Sequence, residues 1–422
     1  MWRIPLDVGG EDQQPRFWGN LLAGPTVTVV CGILAISASL GAEVSWLHLS
    51  SSAGDLPISN GGHEQTAALT ADVNGDGVAE IFLADRSVAP ALVALIRHGD
   101  RWERHVIEAG PLRVEAGSAA EDIDGDGDLD VVFGGDGQSS EIWWWENPFP
   151  DLRPDRSWCR HSVKTVGGKK HHDLVFVDFD GDGRRELVFW NQGSHGLFYA
   201  EIPSNPTKVE EWPIRPIYRY AADDEMEQRA VYPEWRRVNE HEGLAVADMN
   251  GDGIDDIVGG GRWFEFREGG FVEHVIDAGY TFTRCAAGQL IEGGRPEVVL
   301  VVGDGVGPLM MYEWRQGVWT TRTLLSRVEN GHTLQVVDAD GDGRLDIFTA
   351  EMRLGGENPG AKVRLLFGDG HGRFREQVVA EGVGVHEGRM ADLDGDGDLD
   401  ILGKPYNWDT PRVDIWLNTT SR

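Results

Sequence analysis

The chain has 422 residues, 41% hydrophobic and 26% charged, the balance of a globular and not a disordered protein. A formal charge of −32 excludes nucleic acid and anionic lipid as partners, since both demand a basic face. Three cysteines without metal-ligand spacing exclude a disulfide framework and a zinc finger, and Cys159 and Cys285 are expected to be buried thiols.

Leu21 to Ala42 is one apolar stretch that closes on the small residues Ser39, Gly41 and Ala42. Residues 1–42 read as a signal peptide cut near Gly41 or Ala42, or as an uncleaved anchor, because the stretch is just long enough to span a membrane. On either reading the folded part, 43–422, is exported to the periplasm, the cell surface or the extracellular space. Any membrane contact is then limited to the anchor.

Val44 to Leu49 follows as an isolated strand. An acidic pattern then begins: Asp-x-[Asp/Asn]-Gly-Asp-Gly-x-x-[Asp/Glu]. Its acidic and amide positions are Asp72, Asn74, Asp76 and Glu80, then Asp122, Asp124, Asp126 and Asp130, then Asp178, Asp180, Asp182 and Glu186. It returns as Asp248, Asn250, Asp252 and Asp256, as Asp338, Asp340, Asp342 and Asp346, and as Asp392, Asp394, Asp396 and Asp400. The gap between Asp256 and Asp338 is too long for one unit. Within it, Gln289 to Glu297, followed by the run Val298 to Val302, reads as a degenerate seventh copy.

Each loop precedes a β-rich run such as Val131 to Gly135 or Ile347 to Glu351. A third strand and a fourth follow, the fourth often opened by an aromatic residue (Trp102, Trp158, Phe271, Trp319, Phe374). Four short strands per unit of about 50 residues predict a propeller blade. No long helical periodicity separates the strands, which excludes TIM barrels and Rossmann folds. The expected fold is all-β, a seven-bladed propeller of four-stranded antiparallel blades. The last blade stops after Arg412 to Asn418, so Val44 to Leu49 is expected to supply its fourth strand and close the ring.

The loops match an EF-hand through its first six positions, with oxygen donors at 1, 3 and 5 and Gly at 6. They depart from it in closing at position 9 and in lacking flanking helices. On these motifs the chain resembles the FG-GAP/VCBS repeat family, which includes integrin α-chain N-terminal propellers, over about residues 60–418. Phe-Gly occurs only at Phe133-Gly134 and Phe367-Gly368 and Gly-Ala-Pro is absent, so the resemblance is to the broad family. It implies about six structural Ca²⁺ ions, one per intact loop. The degenerate loop, with Gln289, Ile291 and Gly293 at positions 1, 3 and 5, is expected to hold none.

The segments leading into each first strand should lie on the opposite face, near the axis. They are His63-Glu64, Glu115, His171-His172-Asp173, His241-Glu242, His332 and His386-Glu387. His172, His332 and His386 precede their loop aspartate by six residues and His241 by seven. Second turns on that face add Asn191, Gln192, His195, Glu351, Lys404, Tyr406 and Trp408. A convergent set of this kind suits a further divalent metal or proton abstraction. Catalytic candidates are His172, His241, His332, His386 and Tyr406. Substrate-binding candidates are Asn191, Glu351, Lys404 and Trp408. By contrast His105, His161 and His274 fall on fourth strands and read as structural. An insertion at 221–237, with Tyr232, Trp235, Arg236 and Arg237, reads as a functional rim or as an ordinary surface loop.

Two functions remain open. The His-Glu-Gly runs at His241 and His386 give a weaker resemblance to propeller polysaccharide lyases and aldos-2-ulose dehydratases. That resemblance implies a carbohydrate-active lyase or dehydratase. The alternative is a non-catalytic module that adheres to a glycan or an extracellular protein.

Overall fold

A strand buried on both faces reads as an unbroken apolar run. The second strand of every unit does so, and Glu80–Asp85, Asp130–Gly135, Glu186–Asn191, Glu297–Val302 and Asp346–Ala350 are buried at each position. Fourth strands are mostly half-buried or exposed, as Arg101–Glu108 and Gly270–Val275 illustrate. In the computed structural model, which describes residues 43–220, 241–280 and 283–420, these strands form seven four-stranded antiparallel sheets. The innermost strands are Gln65–Ala71, Val114–Glu121, His171–Val177, Ala245–Ala247, Thr283–Gly288, Thr333–Val337 and Arg389–Ala391, for blades one to seven. The signal or anchor segment and the insertion at 221–237 lie outside the described residues.

Successive side chains of a strand point to opposite faces, so each blade feeds two interfaces. Ile81 and Leu83 join Leu402 and Ile415 of blade seven, whereas Phe82 and Ala84 join Phe133 and Trp145 of blade two. Blades two and three share Trp144, Phe189 and Phe198, and blades six and seven share Phe348, Leu365 and Trp416. Clusters join every neighbouring pair, including seven to one, and so close the ring. The expected closing strand is present: Trp46–Ser50 pairs antiparallel with Asp414–Asn418, Trp46 opposite Asn418. The blade-seven sheet therefore draws strands from both ends of the described chain, and Asp414–Asn418 is covered on its outer side.

Candidate functional site

The acidic loops are built by two glycines. Gly75 and Gly77 take φ of 71° and 89°, a region costly for side-chain-bearing residues. The curl aims the amides of Gly75, Asp76 and Gly77 at the Asp72 carboxylate, at 2.8, 3.1 and 2.8 Å. In blade two, one carboxylate oxygen from each of Asp122, Asp124 and Asp126 lies within 4.8 Å of the others.

The acid at position 9 has a second task. Asp346 accepts the Ala339 amide at 2.9 Å and the Gly368 amide at 2.8 Å, and so staples the loop to the third strand. Burial, with the neighbouring loop acids adding to it, pushes Glu80, Asp130, Glu186, Asp256, Asp346 and Asp400 up to about 7. The degenerate loop keeps only this staple: Glu297 accepts the Ile291 amide at 2.9 Å. There the Gln289 amide donates to the carbonyls of Ile291 and Gly293.

At the opposite pole, the position six residues before the first loop aspartate carries His172, Glu242, His332 and His386 in blades three, four, six and seven. In the other three blades it carries Thr66, Ala116 and Thr283. The following residue is left-handed at Asp173 (φ 42°), Gly243 (φ 77°) and Glu387 (φ 57°), and in blade three it forms a bulge between His172 and Leu174. Bulges re-aim side chains, and non-glycine residues held in this region concentrate at functional sites. Here the distortion presents both acids to Arg284 of blade five, which lies 2.8 Å from Asp173 and 3.3 Å from Glu387.

The result is a cavity of about 240 Å³ lined by His172, Glu242, His332, His386 and Tyr406, with Arg86, Glu115 and Lys170 around them. His172 directs Nδ1 to Asp173 Oδ2 at 2.8 Å and Nε2 to Glu242 Oε1 at 3.1 Å. His332 directs Nε2 to Glu242 Oε2 at 2.9 Å and Nδ1 to Glu387 Oε1 at 3.2 Å. The His332 contacts are close but lack hydrogen-bond geometry: Glu242 Oε2, His332 Nδ1 and Glu387 Oε1 are buried without a hydrogen-bond partner. Burial alone would raise Glu242 and lower His332. The mutual charges override it, holding Glu242 well below the carboxylate range and carrying His332 up to about 10. A larger groove of about 320 Å³ runs beside the blade-three loop, but its arginines are paired, as in Arg185–Glu121 at 3.2 Å and Arg215–Glu201 at 3.3 Å.

Of the expected site residues, His172, His332, His386 and Tyr406 come together. Lys404 is fully buried behind His386, at 3.0 Å. The others do not join the cavity. His241 turns away to stack on Trp190 at 4.9 Å and pack on Tyr220, and burial drives it down to about 3. Asn191 contacts His171 Nε2 at 3.2 Å, and Trp408 donates to the Val383 carbonyl at 3.2 Å. Glu351 accepts the amides of Glu329 and Lys362, each at 2.9 Å. Asp173, Glu242 and Glu387 belonged to the expected axial set without an assigned catalytic or binding role, whereas Arg284 and Arg86 were not expected there. Strict register would have selected Glu242 over His241. Cys285 is buried as expected, but Cys159 is exposed, because it opens the outermost strand of blade two.

Comparison with known proteins bears on the repeat. Residues 122–189 match the FG-GAP-like repeat. The match runs from the acidic loop of blade two to that of blade three, and the other intact acidic loops repeat the same residue pattern around the ring. No curated protein matches the sequence. Among solved structures, BBS1N in complex with ARL6DN is similar at 12% identity and a TM-score of 0.52, covering 89% of this chain and 98% of that one. Virginiamycin B lyase from Staphylococcus aureus is similar at 11% identity and a TM-score of 0.50, covering 88% and 99%. The rhamnogalacturonan lyase YesW gives 14% identity and a TM-score of 0.47, covering 87% and 75%. At these identities the first two likenesses establish the shared architecture alone.

Proposed function

We propose that this chain is an exported, calcium-stabilised propeller whose axial cavity is a metal-dependent carbohydrate lyase or dehydratase centre. One observation carries the reading: imidazoles from blades three and six turn Nδ1 toward a carboxylate and Nε2 toward the same Glu242. At His172 the Asp173 carboxylate behind Nδ1 fixes the tautomer that leaves Nε2 free to ligate. Two histidines and one carboxylate suit a divalent transition metal, and the adjoining cavity leaves room for substrate. A divalent ion would also replace the protons that His172 and His332 otherwise hold to neutralise their acids.

Such an ion would polarise a substrate oxygen and acidify the neighbouring C–H. In this reading Tyr406, which stacks on His386 at 5.1 Å, takes that proton as a phenolate. Arg86 bonds its oxygen and lies over its ring at 5.2 Å, supplying the compensating charge. The substrate class is an acidic sugar, whose own carboxylate makes the neighbouring C–H acidic enough to abstract. At the other pole, hard oxygen donors within reach of one another and position-9 acids destabilised by burial fit six Ca²⁺ ions.

The test is metal analysis by mass spectrometry on calcium-replete protein. One transition metal per chain is expected in the wild type and none in His332→Ala or Glu242→Gln. Calcium alone, or a metal retained by both variants, rejects the metal centre. Protein that holds the metal should release products with a new C=C absorbance from acidic polysaccharides. Glycan binding without that absorbance turns the reading to the adhesion module.

A further inference from the structure

His386 lines the same cavity as His172 and His332, but its ring is held in the opposite sense. It stacks on His332 at 4.4 Å and on Tyr406 at 5.1 Å, and among the described residues no carboxylate hydrogen-bonds its Nδ1, although Glu387 lies nearby. That nitrogen instead faces Lys404 Nζ at 3.0 Å. Lys404 is fully buried, and its Nζ also donates to the carbonyls of Gln65 at 2.6 Å and Thr66 at 3.0 Å. The two carbonyls can only accept. With a protonated lysine the third N–H points at Nδ1, which must then be the bare nitrogen. The proton of the neutral ring sits on Nε2. The backbone fixes the pair from the other side, because the His386 amide donates to the Lys404 carbonyl at 2.7 Å.

We propose that Lys404 and His386 form a proton relay, with Lys404 as a buried proton store and His386 Nε2–H as the donor that protonates the departing oxygen of the substrate. The proposal rests on the lyase reading and assigns the acid that reading lacks. The step balances. The substrate C–H proton passes to the Tyr406 phenolate, the C=C bond forms, and the C–O bond breaks. The departing oxygen takes the proton from Nε2, Nδ1 takes one from Lys404 Nζ, and Lys404 is left as the neutral amine. The Tyr406 phenol then loses its proton to water while a proton from water restores the Lys404–His386 pair by the reverse route, so the cycle closes. Burial suits Lys404 to this task, bringing it down to about 7 among the longer-range charges of Glu387, Arg389, Asp85 and Glu115. The same ring is thereby excluded as an Nε2 metal ligand, which separates it from its two neighbours.

The tautomer can be read without substrate or transition metal. Protein labelled with ¹⁵N-histidine, loaded with calcium only and held at about pH 6, below the point where Lys404 discharges, gives two-bond ¹H–¹⁵N correlations. His386 is assigned by the signals lost in His386→Gln. The expected pattern is a protonated Nε2 and a bare Nδ1. In Lys404→Met a protonated Nδ1 should appear, with the transition-metal content of the loaded protein unchanged. An Nδ1–H form in the wild type overturns the proposal, as does an unaltered tautomer in Lys404→Met. If Lys404→Met does not fold, the wild-type pattern decides alone. Failure of the metal analysis would leave this result standing, and a wrong tautomer beside an intact metal site would remove only the relay.

Discussion

At the outer rim His161 lies over Trp144 at 4.4 Å and His274 over Trp263 at 3.9 Å, each ring facing its tryptophan across the third and fourth strands. Each bonds an acid of its own blade, Glu146 at 3.0 Å and Glu265 at 3.1 Å. His48 repeats the arrangement on the closing strand, over Trp416 at 4.9 Å and 2.8 Å from Asp414. Two axial histidines also draw partners from other blades: His172 of blade three meets Glu242 of blade four, and His332 of blade six meets Glu242 and Glu387. Recurrence is common to both sets, so it does not mark function. A histidine satisfied within its own repeat belongs to the construction of the repeat. One that needs other repeats to be in place belongs to the assembled ring.

Loosening the ring is the strongest way to break this contrast. Each ion that binds only the folded state at a hundredfold excess over its Kd contributes about 2.7 kcal/mol. Chelating calcium should therefore lower the melting temperature by more than about 10 °C in calorimetry. An unchanged melting temperature would contradict the stabilising ions. Because the contacts of His172 and His332 span four blades and each outer pair one, a transition metal bound at the axial set should be released at a lower temperature than the outer tryptophans are exposed.

Removing one acid from each set gives a smaller and sharper test. Glu242→Ala leaves two buried imidazoles facing each other without their shared counter-charge, and such unpaired burial costs roughly 3–5 kcal/mol. Glu265→Ala removes a partner from the partly exposed His274 and should cost about 0–1 kcal/mol. Denaturant unfolding of the two variants in metal-free protein compares them directly. Equal losses would erase the distinction between axis and rim.

The ring and its loops were legible because their determinants are local. Positions 1, 3, 5 and 9 lie within nine residues and return at blade spacing, and the missing fourth strand of blade seven pointed to Val44 to Leu49. The axial site was legible where register and residue type agreed, at His172, His332 and His386, and at Tyr406 on a second turn. His241 failed because a one-residue shift moves a side chain to another face, and Glu242 holds the position in register. Arg284 was hidden in the degenerate repeat, whose lost acids drew attention away from its first strand. Asn191, Glu351 and Trp408 lie on turns read correctly, but backbone groups or a neighbouring ring claim their polar atoms, a competition that spacing does not reveal.

His105 gives the smallest effect and tests the outer set from within. It occupies the rim position in blade one, but Ala94 stands opposite it where blades two and four have tryptophan. Its Nε2 meets Glu103 at 3.1 Å, while Nδ1 is buried without a hydrogen-bond partner. Burial lowers its proton affinity, and the nearby Glu103 only partly compensates. With the folded value below the unfolded one, the unfolded chain takes up the proton first. Its contribution to stability is therefore whole above about pH 6.5 and is lost as the pH falls toward the depressed folded value. His105→Gln should flatten the stability profile below that pH and leave it unchanged above. If the profile steepened instead, the rim position would be stabilising a charged imidazole, and the outer histidines would no longer form one class.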